Sequence, residues 1–266
     1  FYYSVVDVPL PQPDLSVEDI CNYPWPEVGN PERMAGLREL ALNYRTSGYA
    51  VVLKDAFAGI FEFAQRIVGM ENLLMMMITN ERAARTLFDK LLKLKLDYWQ
   101  TALAELGDLV DIVTYADDYG TQESQIISPD MFRRLLKPRV KLLFETFVKS
   151  APHAKRVFHS DGNVLPLIPD FIEMGVDILN PIHIRAKDMA PDGHKRDYGQ
   201  DPVFWGGGVD TQGTLPHGTP REVKDDVRRN IEALAPGGGY VVNTIHNIQS
   251  DVPPENLIAM WEALQE

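Results

Sequence analysis

The chain carries one cysteine, Cys21, among 266 residues. A single thiol excludes a disulfide framework and any cysteine-rich zinc or iron–sulfur cluster, and it makes the reducing cytoplasm the expected compartment. Cationic residues are also in deficit: 26 Lys and Arg stand against 38 Asp and Glu, a formal charge of −12. Neutralising phosphates needs a basic face, so neither a nucleic acid nor an anionic membrane surface is an expected partner. No apolar run approaches the roughly 18 residues of a membrane span, and the start at Phe1 has no basic-then-apolar signal pattern. A Gly-x-Gly-x-x-Gly phosphate turn is missing too: Gly206–Gly208 lacks the spacing, and Gly237–Gly239 precedes a strand and reads as a helix stop. What is present, 45% hydrophobic and 24% charged residues, is the composition of a globular chain with a substantial core.

Residues 1–48 read as a Pro-rich irregular leader followed by a helix from about Pro31 to Gly48, packed on a domain over 49–266. From Tyr49 a rhythm sets in. Short apolar strands centred near 51, 112, 157, 178, 204 and 241 alternate with amphipathic helices. One long helical stretch over roughly 57–106 is broken near Gly69 and Asn80, and its Met75–Met77 run reads as core filler. Ser128-Pro129 and the Thr219-Pro220-Arg221-Glu222 capping box open two of the later helices. Arg133, Arg134, Lys137 and Arg139 read as a solvated helix face. This βα alternation implies a parallel sheet, and its polar residues favour a closed barrel over an open sheet. Nearly every strand ends in a residue capable of chemistry: Asp55, Asp118, His159, Asp161, His183, Asp210 or His246. Convergence of strand ends on one face is how a (β/α)₈ TIM barrel builds its active site. Six strands are clear; Tyr2–Val6 is a further candidate, and the leading strand or two are expected to be missing.

His159 and Asp161, two positions apart on an extended chain, point the same way, and His246 at the last strand end faces the same mouth. Two imidazoles and a carboxylate suit a catalytic zinc with an open position, or a hydrogen-bonding cluster that binds an organic substrate without metal. Asp117 and Asp118 repel each other, so one needs a partner or a proton. Roles open to them are general acid, metal ligand, acceptor for substrate N–H groups, or cap of the Tyr119–Gln122 loop. Gln122 is a candidate substrate contact, while His153, His194 and His217 read as surface residues.

The strings Ala116-Asp117-Asp118-Tyr119-Gly120-Thr121-Gln122, His159-Ser160-Asp161-Gly162-Asn163, Gly175–Pro181, Phe204–Gly207 with Val209–Gln212, and His246–Gln249 with Pro253–Asn256 resemble the uroporphyrinogen decarboxylase superfamily. The resemblance runs from about residue 49 to the end and itself implies a (β/α)₈ barrel. It implies one of two chemistries: cofactor-free decarboxylation of uroporphyrinogen, or zinc-dependent methyl transfer to or from a corrinoid on a partner protein. In the methyltransferases a His-x-Cys pair and a later Cys hold the zinc. Here His159 matches the His, Asp161 stands at the first Cys position and His246 lies near the later one. The implied metal set is therefore His159, Asp161 and His246, harder than a thiolate set and suited to an oxygen-containing substrate. Asp118, His159 and His246 are the expected catalytic residues, with Asp117, Gln122, Asn180, His183 and Asp210 as substrate contacts. The expected activity is methyl transfer from a small methylated compound, such as an aryl methyl ether, to the corrinoid. Decarboxylation of uroporphyrinogen or a related tetrapyrrole is the alternative, although the decarboxylases' Arg-rich amino-terminal segment has no counterpart here. A non-catalytic corrinoid- or tetrapyrrole-binding protein is the third reading. No sequence feature fixes an oligomeric state.

Overall fold

A computed structural model describes residues 5–55 and 58–266. The leader contains a short helix, α1 (Val17–Asn22), and the expected helix after it is split: a 3₁₀ turn at Pro31–Met34 is followed by α2 (Leu37–Thr46). The Pro-rich pattern predicts an irregular segment over α1, yet Ser16 and Asp19 form a reciprocal capping box there. Leu10, Leu15 and Ile20 of the leader are buried in the main core. The strand expected over Tyr2–Val6 falls largely outside the described residues, and Val5 and Val6 join no strand.

The long helical stretch breaks where Gly69 and Asn80 predict, giving α3 (Ile60–Val68), α4 (Met70–Thr79) and α5 (Glu81–Leu106), which follow β1 (Val52–Leu53). Beyond β2 (Ile112–Ala116) come α6 (Pro129–Leu135), α7 (Lys137–Ser150), β3 (Lys155–His159), α8 (Ile168–Glu173), β4 (Ile178–Asn180) and α9 (Pro191–Tyr198). The chain continues through β5 (Val203–Trp205), α10 (Thr214–His217), α11 (Pro220–Leu234), β6 (Tyr240–Val241) and α12 (Pro254–Ala263). The six strands pair in parallel in chain order, β1 to β6, which is the arrangement of a partial (β/α)₈ barrel.

The apolar halves of these elements meet in an aromatic core. Phe158 of β3 stacks on Phe171 of α8 with ring centroids 4.3 Å apart, and Tyr119 packs edge-on to Phe132 of α6 at 4.9 Å. Behind β2, Lys95 of α5 pairs with Asp55 at 2.6 Å inside the core, with the Lys95 ammonium over the Tyr115 ring. At the amino-terminal ends of β3 and β4, Arg156 and Asp177 form a bidentate pair, so this end of the sheet is pinned by a structural contact.

Two expectations about surface residues are corrected. Lys137 and the exposed Arg133 converge on the buried carboxylate of Asp170, and Arg139 is itself buried, bonded to Asp89 and the Leu135 carbonyl; Arg133, which also pairs with Asp130, and Arg134, which pairs with Glu81, keep the solvated face. His194 is buried against Phe204 because α9 folds over β5. Its Nδ1 lies 2.9 Å from the Ala190 carbonyl and carries the proton, and burial holds its pKa below the usual 6.5. A histidine kept neutral in the fold but protonated when unfolded gives stability that is complete above 6.5 and lost as pH falls through that value. Urea titrations at several pH values should show wild type losing up to about 1.4 kcal/mol per pH unit more than His194→Leu below that point.

Candidate metal and substrate site

Parallel register builds the site. Ala116 of β2, His159 of β3 and Asn180 of β4 are paired level with one another, and Asp117 N–H donates to the His159 carbonyl at 2.9 Å. The residues just beyond these positions therefore emerge together at the carboxyl end of the sheet. Two glycines allow the β2 and β3 loops to touch there: a Cβ on Gly162, whose φ is +80°, would lie 2.4 Å from the Gly120 carbonyl carbon. The loops are stitched by Asp161 N–H to Asp118 Oδ1 at 2.9 Å and by Tyr119 N–H to Ser160 Oγ at 3.0 Å.

The adjacent aspartates take opposite roles. Asp117 is completely buried and accepts from the Phe61 and Glu62 backbone N–H groups at 3.0 and 2.7 Å and from the Tyr115 and Tyr119 hydroxyls at 2.8 and 2.5 Å. It caps α3, whose own N-cap, Gly59, has no side chain to do so. A Cβ on Gly59 would lie 2.1 Å from the Asp117 carboxyl carbon, so glycine there is the condition for the cap. Asp117, expected as a substrate contact, is thus buried in the cap of α3 rather than open to the mouth. Asp118 instead turns toward the mouth.

At the mouth, Asp118, His159 and Asp161 each bring one ligand atom to a common point, all within 4.8 Å of one another. His159 is set for this by its neighbours. Asn180 Nδ2 donates to the Trp205 carbonyl at 2.7 Å, which fixes its amide oxygen toward His159 Nδ1 at 2.6 Å. Nδ1 must then carry the proton, and Nε2 presents a bare lone pair 3.8 Å from Asp118 and 3.9 Å from Asp161. Asn180, expected to touch substrate, acts here by orienting His159. Asp161 Oδ1 is buried with no hydrogen-bond partner, and burial, reinforced by Asp118, raises the Asp161 pKa against the pull of His159, His246 and His183. The convergence of one imidazole and two carboxylates, one of them with an orphaned oxygen, fits a divalent cation.

The compact ligand set differs from the expected one in that Asp118 takes the place given to His246. His246 Nδ1 accepts the Asn247 N–H at 2.7 Å, so the neutral ring bears its proton on Nε2, which faces Asp161 Oδ2 at 3.5 Å. It approaches the cluster as a donor. Glu62, which the sequence reading did not single out, adds a third carboxylate nearby. Its pKa is raised by burial and by Asp118, against the pull of its partner Arg66 and of His159.

Beside this cluster lies a cavity of about 420 Å³ bounded by Asp161, His183 and His246 and by the amides of Gln122, Gln212, Asn247 and Gln249. Gln122 and His183 both line it, and Gln212, Asn247 and Gln249 join them from the loops after β5 and β6. Asp210 does not join them. Its carboxylate accepts from the N–H groups of Gln212, Gly213 and Thr214 and pairs with Arg185 at 2.7 Å, so it caps the turn into α10.

No curated relative matches the chain. Among solved structures it is similar to a methyltransferase from Methanosarcina mazei, with a TM-score of 0.65 and 20% identity over 85% of this chain. The chain spans 62% of that methyltransferase's length. Among the described residues, no helix is long and apolar enough to cross a membrane. The family model for uroporphyrinogen decarboxylase (URO-D) matches residues 10–266, which takes in the sheet, the cluster at its carboxyl end and most of the leader; the chain belongs to the uroporphyrinogen decarboxylase family.

Proposed function

We propose that this protein removes the methyl group of a small methyl ether and passes it to a reduced corrinoid carried by a partner protein. The observation that carries this reading is the convergence of Asp118, His159 and Asp161, an oxygen-rich ligand set without thiolate. Hard ligands match an oxygen-containing substrate better than a thiol. A divalent metal held there, zinc or a harder ion, supplies a Lewis acid for the ether oxygen. In the balanced reaction the C–O bond breaks and its electron pair stays on oxygen, which takes up one proton. The methyl group, short of that pair, would bond to the reduced cobalt of the corrinoid, which supplies both electrons of the new cobalt–carbon bond and is oxidised by two. Asn180 keeps His159 in the ligating tautomer, the Nε2–H of His246 beside Asp161 offers a hydrogen bond to the departing oxygen, and that oxygen takes its proton from solvent.

Decarboxylation of a tetrapyrrole with many carboxylates is less well supported. Among the described residues no Lys or Arg lines the cavity, and Asp118, Asp161 and Glu62 give this mouth an acidic character. The assay is incubation of the full chain, with zinc, free cob(I)alamin and a panel of methyl ethers, followed by absorbance of the corrinoid and detection of the demethylated product. One alcohol or phenol formed per methyl transferred is the expected result. Release of carbon dioxide from uroporphyrinogen with no methyl transfer would replace this reading by the alternative.

A further inference from the structure

The cavity beside the cluster carries a second message, about the part of the substrate that does not react. His183 is buried and its Nδ1 accepts the Gly162 N–H at 3.0 Å. That bond leaves the ring proton on Nε2, which lies 3.1 Å from the Gln122 amide. Gln122 Nε2 stands there as a donor facing a donor, and turning the amide over lets its oxygen accept from His183 and aims its NH₂ group into the cavity. The Gln212 side chain stands on the wall of the same cavity. Asn247 and Gln249 add two more amides along the rim, with Gln249 held by the Asn247 carbonyl at 3.2 Å. Among the described residues neither a cation nor a Phe, Tyr or Trp lines this space. Paired donor and acceptor amides around a small volume match the pattern of neighbouring hydroxyls, each of which both gives and takes a hydrogen bond. An aromatic ring would find no Phe, Tyr or Trp face there and a carboxylate no Lys or Arg.

We propose that the His183–Gln122–Gln212 group is the specificity element of this cavity and selects an uncharged, polyhydroxylated aliphatic methyl ether, such as an O-methylated sugar, over an aryl methyl ether or a carboxylated one. The inference rests on the ether-demethylating reading above for the reacting end alone. It is tested by calorimetric binding to the full chain with three probes: 3-O-methylglucose, 2-methoxyphenol and 4-methoxybenzoate. The sugar ether should bind at least about tenfold more tightly than either aryl compound, the ratio expected when a site's polar groups are left unpaired by the wrong ligand. Gln122→Leu, at an exposed position where folding is not at stake, should erase that preference by weakening the sugar ether about tenfold while leaving 2-methoxyphenol unchanged. Tighter binding of either aryl ether, no binding of the sugar ether, or unchanged sugar-ether affinity in Gln122→Leu would overturn the proposal. Selective, Gln122-dependent binding without methyl transfer to cob(I)alamin would uphold it while removing the reaction assigned to the cluster.

Discussion

Asp161→Ala should abolish methyl transfer, by about a thousandfold or more, while the protein stays folded. The two halves of this expectation have separate physical causes. Asp161 contributes a ligand atom to the cluster, and loss of a ligand from a Lewis-acid site removes transition-state charge stabilisation on the order of 4 kcal/mol. Its carboxylate, by contrast, does little for the fold. Oδ1 has no hydrogen-bond partner, Oδ2 stands 3.5 Å from His246, and Asp118 repels it. Removing it relieves that repulsion, so the urea midpoint should hold steady or rise. Kinetic assay and denaturation of the same sample check both halves. An inactive variant that has also unfolded would assign Asp161 to structure.

Asp117→Ala, one residue before Asp118, should behave in the opposite way. It leaves two backbone N–H groups of α3 and two tyrosine hydroxyls without their acceptor in a fully buried place. The expected cost is about 3–5 kcal/mol, a large part of the stability of an ordinary domain. Asp117→Asn keeps the shape but turns an NH₂ toward groups that also donate, and should cost about 2–3 kcal/mol. The pH dependence has a definite sign. Burial raises the Asp117 pKa from 3.8 to about 6 against the donors that lower it. The folded protein therefore takes up a proton that the unfolded chain releases between those values, and this group stabilises the fold more as pH falls from 6 toward 3.8. The gap between wild type and Asp117→Asn in urea titrations should widen from pH 7 to pH 5.

That neighbouring aspartates should divide so sharply was not legible in the sequence. Successive residues at a strand end point opposite ways, which guarantees different surroundings, but which of the two turns inward is decided by Gly59 and the start of α3, far off in the chain. The pairing of His159 with Asp161, on the other hand, followed from their spacing alone. So did the strand–helix alternation, because short apolar runs bounded by Gly, Pro and capping residues are local signals. The role of Asn180 was hidden since it depends on the Trp205 carbonyl of the next strand, and His194 was misread because its burial comes from α9 closing over Phe204. Asp210 could have been read correctly: an aspartate followed by Thr211-Gln212-Gly213 is a capping pattern in its own right. Parallel register and long-range packing, which single-chain patterns do not encode, account for the site residues that were reassigned.

The central claim is that Asp118, His159 and Asp161 form a metal centre. Titration of metal-stripped protein with Co²⁺, followed by its visible absorption, tests it most directly. One equivalent per chain should bind, with d–d bands and no thiolate charge-transfer band, and His159→Ala should abolish the signal with the fold intact. A His159→Ala protein that binds Co²⁺ as wild type does, or a wild-type protein that takes up none, would contradict it.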